Sequence, residues 1–168
     1  MTTSIALSDI RIRQELRPGD LGYIAYLHGQ VYARECGYGL HFEGYVLAGL
    51  QEFAEQHDST QDAIWVCEHD EKIVGFLMAF HRADSVQLRY FIFLPEYRGL
   101  GLGKKLMQEF LAFMRAKNYN QAYLWTTREQ ATAIALYTRF GFRLTEEKSS
   151  IAFDKQLVEQ RYDLRLAA

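Results

Sequence analysis

Residues 97–105 read Y-R-G-L-G-L-G-K-K, with glycine at 99, 101 and 103. A helix interior does not favour this, because each glycine costs about 1 kcal/mol there relative to alanine. Glycine suits a backbone that turns sharply or comes close to a ligand. An apolar run over residues 88–94 precedes the stretch and stops at Pro95. Beyond it Leu102, Leu106, Phe110, Phe113 and Met114 recur on one helical face. The order is therefore strand, glycine loop, helix. A helix start presents unpaired N–H groups and a partial positive charge, to which Arg98, Lys104 and Lys105 add full charges. Such a construction binds an anion, and phosphate fits it best.

Spacing narrows the phosphate ligand. The dinucleotide pattern G-x-G-x-x-G, begun at Gly99, needs glycine where Lys104 stands, and no acidic residue follows at the required distance. A P-loop needs Ser or Thr where Lys105 stands and glycine where Arg98 stands. The spacing that fits is R-x-x-G-x-G, on Arg98, Gly101 and Gly103. A second motif, Ala133-x-x-Leu136-Tyr137-x-x-x-Gly141-Phe142, sets Ala133 and Tyr137 one turn apart on one helix face. Tyr137 is either a core tyrosine with a satisfied hydroxyl or a proton donor beside the glycine loop.

These motifs need elements to hold them. Alternation predicts a strand over 10–16, ended by Arg17-Pro18-Gly19-Asp20, with Asp20 capping a helix over 20–35. A second helix spans 42–56. Strands follow at 63–68, 72–80 and 86–94; the last is apolar on both faces apart from Arg89, as in a central, doubly covered strand. The long helix runs to about 117 and a buried strand covers 122–126. A capping box at Thr127/Gln130 or Thr126/Glu129 opens the next helix, which Gly141 closes. A strand opens at 142–144, residues 146–150 form a polar loop, and a closing strand covers 158–166. This is an α+β arrangement: a mixed, mostly antiparallel sheet of six or seven strands with about four helices, in one domain over 1–168. The strand meander before the loop is not the β-α-β order of a dinucleotide fold.

With 49% apolar residues the chain can bury a substantial core, and a net charge of −2 argues against bulk nucleic-acid binding. Cys36 and Cys67 make neither a zinc pattern nor a disulfide framework, so no metal is expected and a reduced cytoplasmic setting is. Met1-Thr2-Thr3-Ser4 opens no signal peptide, and no apolar run approaches a membrane span. Eleven Tyr, eleven Phe and a late edge strand make a homodimer through Tyr162, Leu164 and Leu166 an expectation.

The two motifs resemble those of the GNAT family of N-acetyltransferases, and the likeness runs from about Ile10 to Leu166. Segments such as Arg17-Pro18-Gly19-Asp20, His28-Gly29, Tyr32-Ala33-Arg34-Glu35 and Leu124-Trp125-Thr126 look most like the acetyltransferase half of MarR-type regulator–acetyltransferase fusions. The resemblance implies acetyl-CoA as co-substrate. Its pyrophosphate would lie on Arg98, Gly99, Leu100, Gly101, Leu102, Gly103 and Lys104, and its pantetheine arm along Phe91, Ile92 and Phe93, with Gln130 and Ala133 as further contacts. Tyr137 would be the general acid for the leaving thiolate. The acceptor, a primary amine of a small molecule or peptide, would lie against the first two helices near His28, Tyr32, Glu35 and Tyr38, with Tyr23 and His41 close by. Gln130 stands where the family often has asparagine, and Gln87 where many relatives carry a glutamate base. The base is then Glu35, His28, His41 or a water chain. The alternatives are a non-catalytic acyl-CoA sensor and an interaction protein of the same fold.

Overall fold

The computed structural model describes residues 5–167; Met1–Ser4 lie outside them. The chain forms β1 (Arg11–Arg13), α1 (Asp20–Cys36), α2 (Leu40–Gln56), β2 (Ala63–His69), β3 (Lys72–Arg82), β4 (Ser85–Phe93), α3 (Leu102–Ala116), β5 (Gln121–Thr127), α4 (Ala131–Arg139), β6 (Arg143–Ser150) and β7 (Leu157–Arg165). Seven strands make one sheet in the order β1-β2-β3-β4-β5-β7-β6. Every neighbouring pair is antiparallel except β4 and β5.

Alternation along β3, shifted by one extra residue at Val74, sorts the core into two layers. Val74, Leu77 and Ala79 pack with Leu102, Leu106 and Phe110 of α3 and with Tyr137 of α4. Phe76, Met78 and Phe80 pack with Ile24 and Leu27 of α1 and Val46, Leu50 and Phe53 of α2. Helices cover both faces, which is why β3 and β4 read as nearly continuous apolar runs.

One irregularity shapes β4. Met78 pairs with Arg89 but Phe76 pairs with Ile92, so β4 carries one extra residue there. Tyr90 takes it up with φ 54°, a left-handed conformation rare for a bulky side chain. A bulge of this kind bends the strand and breaks its alternation. Leu88, Phe91 and Phe93 face the α3 layer, whereas Tyr90 and Ile92 belong to the α1/α2 layer.

Several expectations need correction. β1 is only Arg11–Arg13, because Arg13 turns inward: its guanidinium reaches Asp20 at 2.8 Å and Glu68 at 2.8 Å, and it is 5% exposed. Asp20 is not the cap of α1; that position is Gly19, at φ 97°, and Asp20 instead accepts the Arg17 N–H at 2.6 Å. No capping box opens α4, whose N-cap is Gln130; the Thr127 and Glu129 side chains both meet the Tyr38 hydroxyl. Residues 146–150 are not a loop but most of β6. It is exposed along nearly its whole length, so no buried face imposed an alternation that could reveal it. β7 lies between β5 and β6 and is no edge. Tyr162 and Leu164 are core residues, so the edge-strand route to a dimer through them is closed.

Removing the Asp20 carboxylate leaves Arg13 buried without the partner that takes two of its hydrogen bonds. We expect Asp20→Ala to cost about 3 kcal/mol or more in urea denaturation, as one-sided deletions of buried ion pairs do. A loss below about 0.5 kcal/mol, the scale of an ordinary surface change, would contradict this.

Candidate active site

β5 stays with β4 for only two residue pairs, Val86↔Ala122 and Gln87↔Tyr123, and then diverges. The other edge of β4 remains bonded to β3 up to Phe93. Leu94 N–H donates to the Val74 carbonyl at 2.9 Å. Successive N–H groups of a strand point to opposite edges, so those of Phe93 and Phe91 point into the gap that β5 vacates. Backbone groups left there need water or a ligand as partner.

The glycine loop follows a 3-10 turn at Pro95–Tyr97. Its glycines have two different causes. Gly99 and Gly101 adopt φ 77° and 86°, which L side chains resist, although space around both is open. Gly103 lies inside α3; a Cβ there would stand 3.1 Å from Leu136 Cδ2 of α4 and 3.7 Å from the Phe93 ring. It lets α3 close against α4 and the end of β4. Gly101 is the N-cap of α3 and no side chain caps that end, so its first N–H groups face outward as an anion site needs. Arg98 bridges the region: it reaches Glu35 of α1 at 2.7 Å and donates to the Phe93 carbonyl at 3.2 Å.

Tyr137 stands on the α4 wall of the gap, its ring 6.1 Å from Phe91 and 6.0 Å from Phe142. Gly141, at φ 94°, ends the helix one turn later. Tyr137 is 5% exposed. Burial, and then the nearby Tyr32, raise its phenol pKa well above the ordinary value. Its hydroxyl bonds no described residue, yet it is not among the fully enclosed unpartnered atoms, which are Trp65 Nε1 and Tyr90 Oη. The tip therefore keeps a small contact with solvent. Ala133 is half-buried on the same face. Gln130 donates to Cys36 Sγ at 3.0 Å, tying the start of α4 to the end of α1.

Of the residues expected around the acceptor, His28, Tyr32 and Tyr38 stack together, while Glu35 and His41 pair elsewhere. His28 is buried and its Nδ1 lies 2.8 Å from the Ile24 carbonyl, so Nδ1 carries the hydrogen. Desolvation, with help from Arg89, lowers its pKa to about 4, and it is neutral at pH 7. Tyr32 stacks between His28 and Tyr38, at 5.8 Å and 5.7 Å, and burial raises its pKa to about 12. Tyr38 is held by Thr127 and Glu129. His41 pairs with Asp154 of the β6–β7 loop. Glu35 pairs with Arg98 and, with Tyr23, lines a pocket of about 260 Å³ beside Pro95 and Glu96. Gln87 accepts hydrogen bonds from Arg82 at 3.0 Å and Tyr123 at 3.4 Å. Among the described residues no group of three or more His, Cys, Asp and Glu side chains is placed to hold a metal ion. No described helix is long and apolar enough to cross a membrane. Sequence reasoning missed Arg89 and Tyr90, which the bulge brings together on the α2 side; the one signal was a lone charge in an apolar strand.

Residues 30–142 match the Acetyltransferase (GNAT) family. The uncharacterized N-acetyltransferase YjgM of Escherichia coli is 34% identical over 112 residues, 62% of this chain and 67% of that protein. Human N-acetyltransferase 8B is 34% identical over 87 residues, 48% of this chain but only 38% of its own length. An acetyltransferase of Streptococcus agalactiae superposes with a TM-score of 0.72 at 21% identity, covering 94% of this chain and 99% of that one. Spermidine N-acetyltransferase from Vibrio cholerae, solved in complex with CoA and spermine, gives 0.65 at 19% identity, covering 94% and 96%. At such identities the structural likeness speaks to the fold, a mixed seven-stranded sheet with four α-helices.

The His28 environment has a direct check. Its folded-state pKa is depressed, so its contribution to stability is full above the ordinary histidine value of about 6.5 and is lost as pH falls toward about 4. NMR titration should show the His28 ring neutral down to pH 5, and His28→Gln should lose less stability than the parent between pH 7 and 4.5. A ring that titrates near 6.5 would contradict its burial.

Proposed function

The chain belongs to the Acetyltransferase (GNAT) family, and from that premise we propose that it moves an acetyl group from acetyl-CoA to a primary amine of a small molecule or peptide. The observation that carries this is the Tyr137 hydroxyl, unpartnered beside a β4 edge whose Phe91 and Phe93 N–H groups lack a strand partner. Those N–H groups suit two tasks: pairing with the amide-bearing arm of the coenzyme and polarising a thioester carbonyl. The uncapped start of α3, with the left-handed turns at Gly99 and Gly101, suits a pyrophosphate. Arg98 already stands over the Phe93 carbonyl and can exchange Glu35 for phosphate. Ala133 and Gln130 complete the α4 wall.

In the proposed step the amine nitrogen attacks the thioester carbon, the carbon–sulfur bond breaks, and Tyr137 gives its proton to the departing sulfur. A buried phenol is a weak acid, but the pocket that raises its pKa raises that of a thiol for the same reason, so the two stay matched. The amine proton leaves through water. His41 is engaged by Asp154, and His28 is too weak a base at about 4 to take the role; Glu35, paired with Arg98 in the free protein, becomes available only once Arg98 turns to phosphate. Gln87 cannot act as a base and is bonded to Arg82. That last observation favours the alternative, a non-catalytic acyl-CoA sensor in which Tyr137 only packs.

We extend the proposal to one catalytic domain occupying residues 1–168. The likeness to the acetyltransferase half of MarR-type fusions rests on the segments quoted for it, and cytoplasmic placement rests on the cysteine usage. Acceptor-side roles for His28, Tyr32 and Tyr38 rest on their aromatic stack.

Two variants test this reading. Tyr137→Phe should lose about 10²–10⁴-fold in turnover against an amine panel while acetyl-CoA affinity stays near normal. Gly101→Val should abolish coenzyme binding by calorimetry, since valine resists the left-handed turn that sets the α3 amides. Full activity in the phenylalanine variant would remove Tyr137 as the acid; unchanged affinity in the valine variant would remove the loop.

A further inference from the structure

The α2 side of the gap holds a charge that the fold leaves without a hydrogen bond. Arg89 is the lone charged residue of β4, and its side chain is 11% exposed. Its guanidinium donates no hydrogen bond among the described residues; the nearest carboxylate oxygen, on Glu52, is 3.7 Å from Nη1. Glu52 is already committed, since Arg82 donates to both its oxygens, at 2.5 Å and 3.2 Å. Two arginines share one carboxylate, so the patch keeps a net positive charge. Beside it the Tyr90 hydroxyl is fully enclosed and has no partner. A Cβ at Gly49 of α2 would collide with both the Arg89 guanidinium and the Tyr90 hydroxyl, so that glycine makes room for the pair. Tyr45 and Tyr90 offer Arg89 ring faces at 5.8 Å and 4.9 Å, which soften its desolvation without satisfying its N–H groups. His28, on the same side, is uncharged and adds no competing cation.

A largely shielded cation that makes no hydrogen bond to the protein is costly. That cost falls when a planar anion arrives, because the guanidinium fork matches a carboxylate bidentately. The position is informative as well. Arg89 comes two residues after Gln87, where β5 leaves, and two before Phe91, which faces Tyr137. A group held by Arg89 thus lies beside the strand that carries the reacting centre, on the face opposite α3 and α4.

We propose that Arg89 binds a carboxylate carried by the acceptor itself, so that the acceptor class is an amino acid or another short amino-carboxylate. The assignment rests on the acetyl-transfer reading above and narrows its amine. The single excess positive charge favours a monoanionic carboxylate over a phosphate dianion.

The experiment uses matched acceptors with and without the carboxylate: L-phenylalanine against phenethylamine, L-methionine against 3-(methylthio)propylamine, and L-lysine against cadaverine. With at least one pair the wild-type kcat/KM should favour the acid by about 10–100-fold, the worth of a charge-assisted hydrogen bond. In Arg89→Gln that preference should collapse to within about threefold, mainly through KM, with acetyl-CoA affinity unchanged; Arg89→Lys should keep part of it. A second readout needs no turnover. With saturating CoA, N-acetylglycine should raise the melting temperature of the wild type but not of Arg89→Gln, and N-methylacetamide should raise neither. Amines preferred over their acids, a preference that survives Arg89→Gln, or no carboxylate-specific shift in melting temperature would each overturn the assignment. Failure of the coenzyme to bind would instead remove the acetyl-transfer reading, so the two failures are distinguishable.

Discussion

A backbone amide must be paired with something, and in this fold the requirement is concentrated at one edge. The extra residue at Tyr90 bends β4, and β5 leaves it after Gln87. The Phe91 and Phe93 N–H groups then face a gap rather than a strand. Everything with chemical capacity is placed relative to that gap: the glycine loop at its open end, Tyr137 on one wall, Arg89 and Tyr90 on the other. A continuous parallel pair would have satisfied the backbone and left nothing for a ligand to complete. The cost of the irregularity is met by the layers around it, where β3 is sealed on both faces and Tyr90 is locked under α2.

The two walls differ in kind. On the α3/α4 side Phe91, Phe142 and Tyr137 make an apolar surface that holds a phenol in its protonated form. On the α2 side an arginine pair shares one glutamate. A nucleophile that carries its own counter-charge can be oriented from the second wall while a leaving group is protonated from the first. The β6–β7 loop ties the α1–α2 corner to the approach to α4: Asp154 holds His41, and Lys155 donates to the Cys36 carbonyl and to Glu129.

The sequence made some of this plain because local rules govern it. Glycine at 99 and 101 announces left-handed turns, and the periodicity of α3 follows at once. Gly103 reads the same way in sequence, yet its reason is tertiary, the approach of Leu136. The acid-amide pattern around Thr127 satisfies the local rule for a helix cap, but Tyr38, distant in sequence, takes those side chains instead. β6 was legible only at its start, because beyond Leu144 an exposed strand has no buried face to impose alternation. β7 was legible as a strand but not as an interior one, since pairing order is set by the whole sheet. His28, Glu35 and His41 looked equivalent as candidate bases; only packing separates a buried neutral imidazole from two paired surface groups. Arg89 was visible as an odd charge in an apolar strand, but its meaning depends on a bulge that no local pattern announces.

Amide hydrogen exchange at Phe91 and Phe93, with and without acetyl-CoA, reaches the central claim most directly, because it reads the two groups that the divergence of β5 is held to leave open. The account predicts that both exchange far faster in the free protein than the β3-bonded amide of Leu94, and that both become strongly protected when acetyl-CoA binds. Protection already present in the free protein, or none gained in a complex shown by calorimetry to have formed, would contradict it.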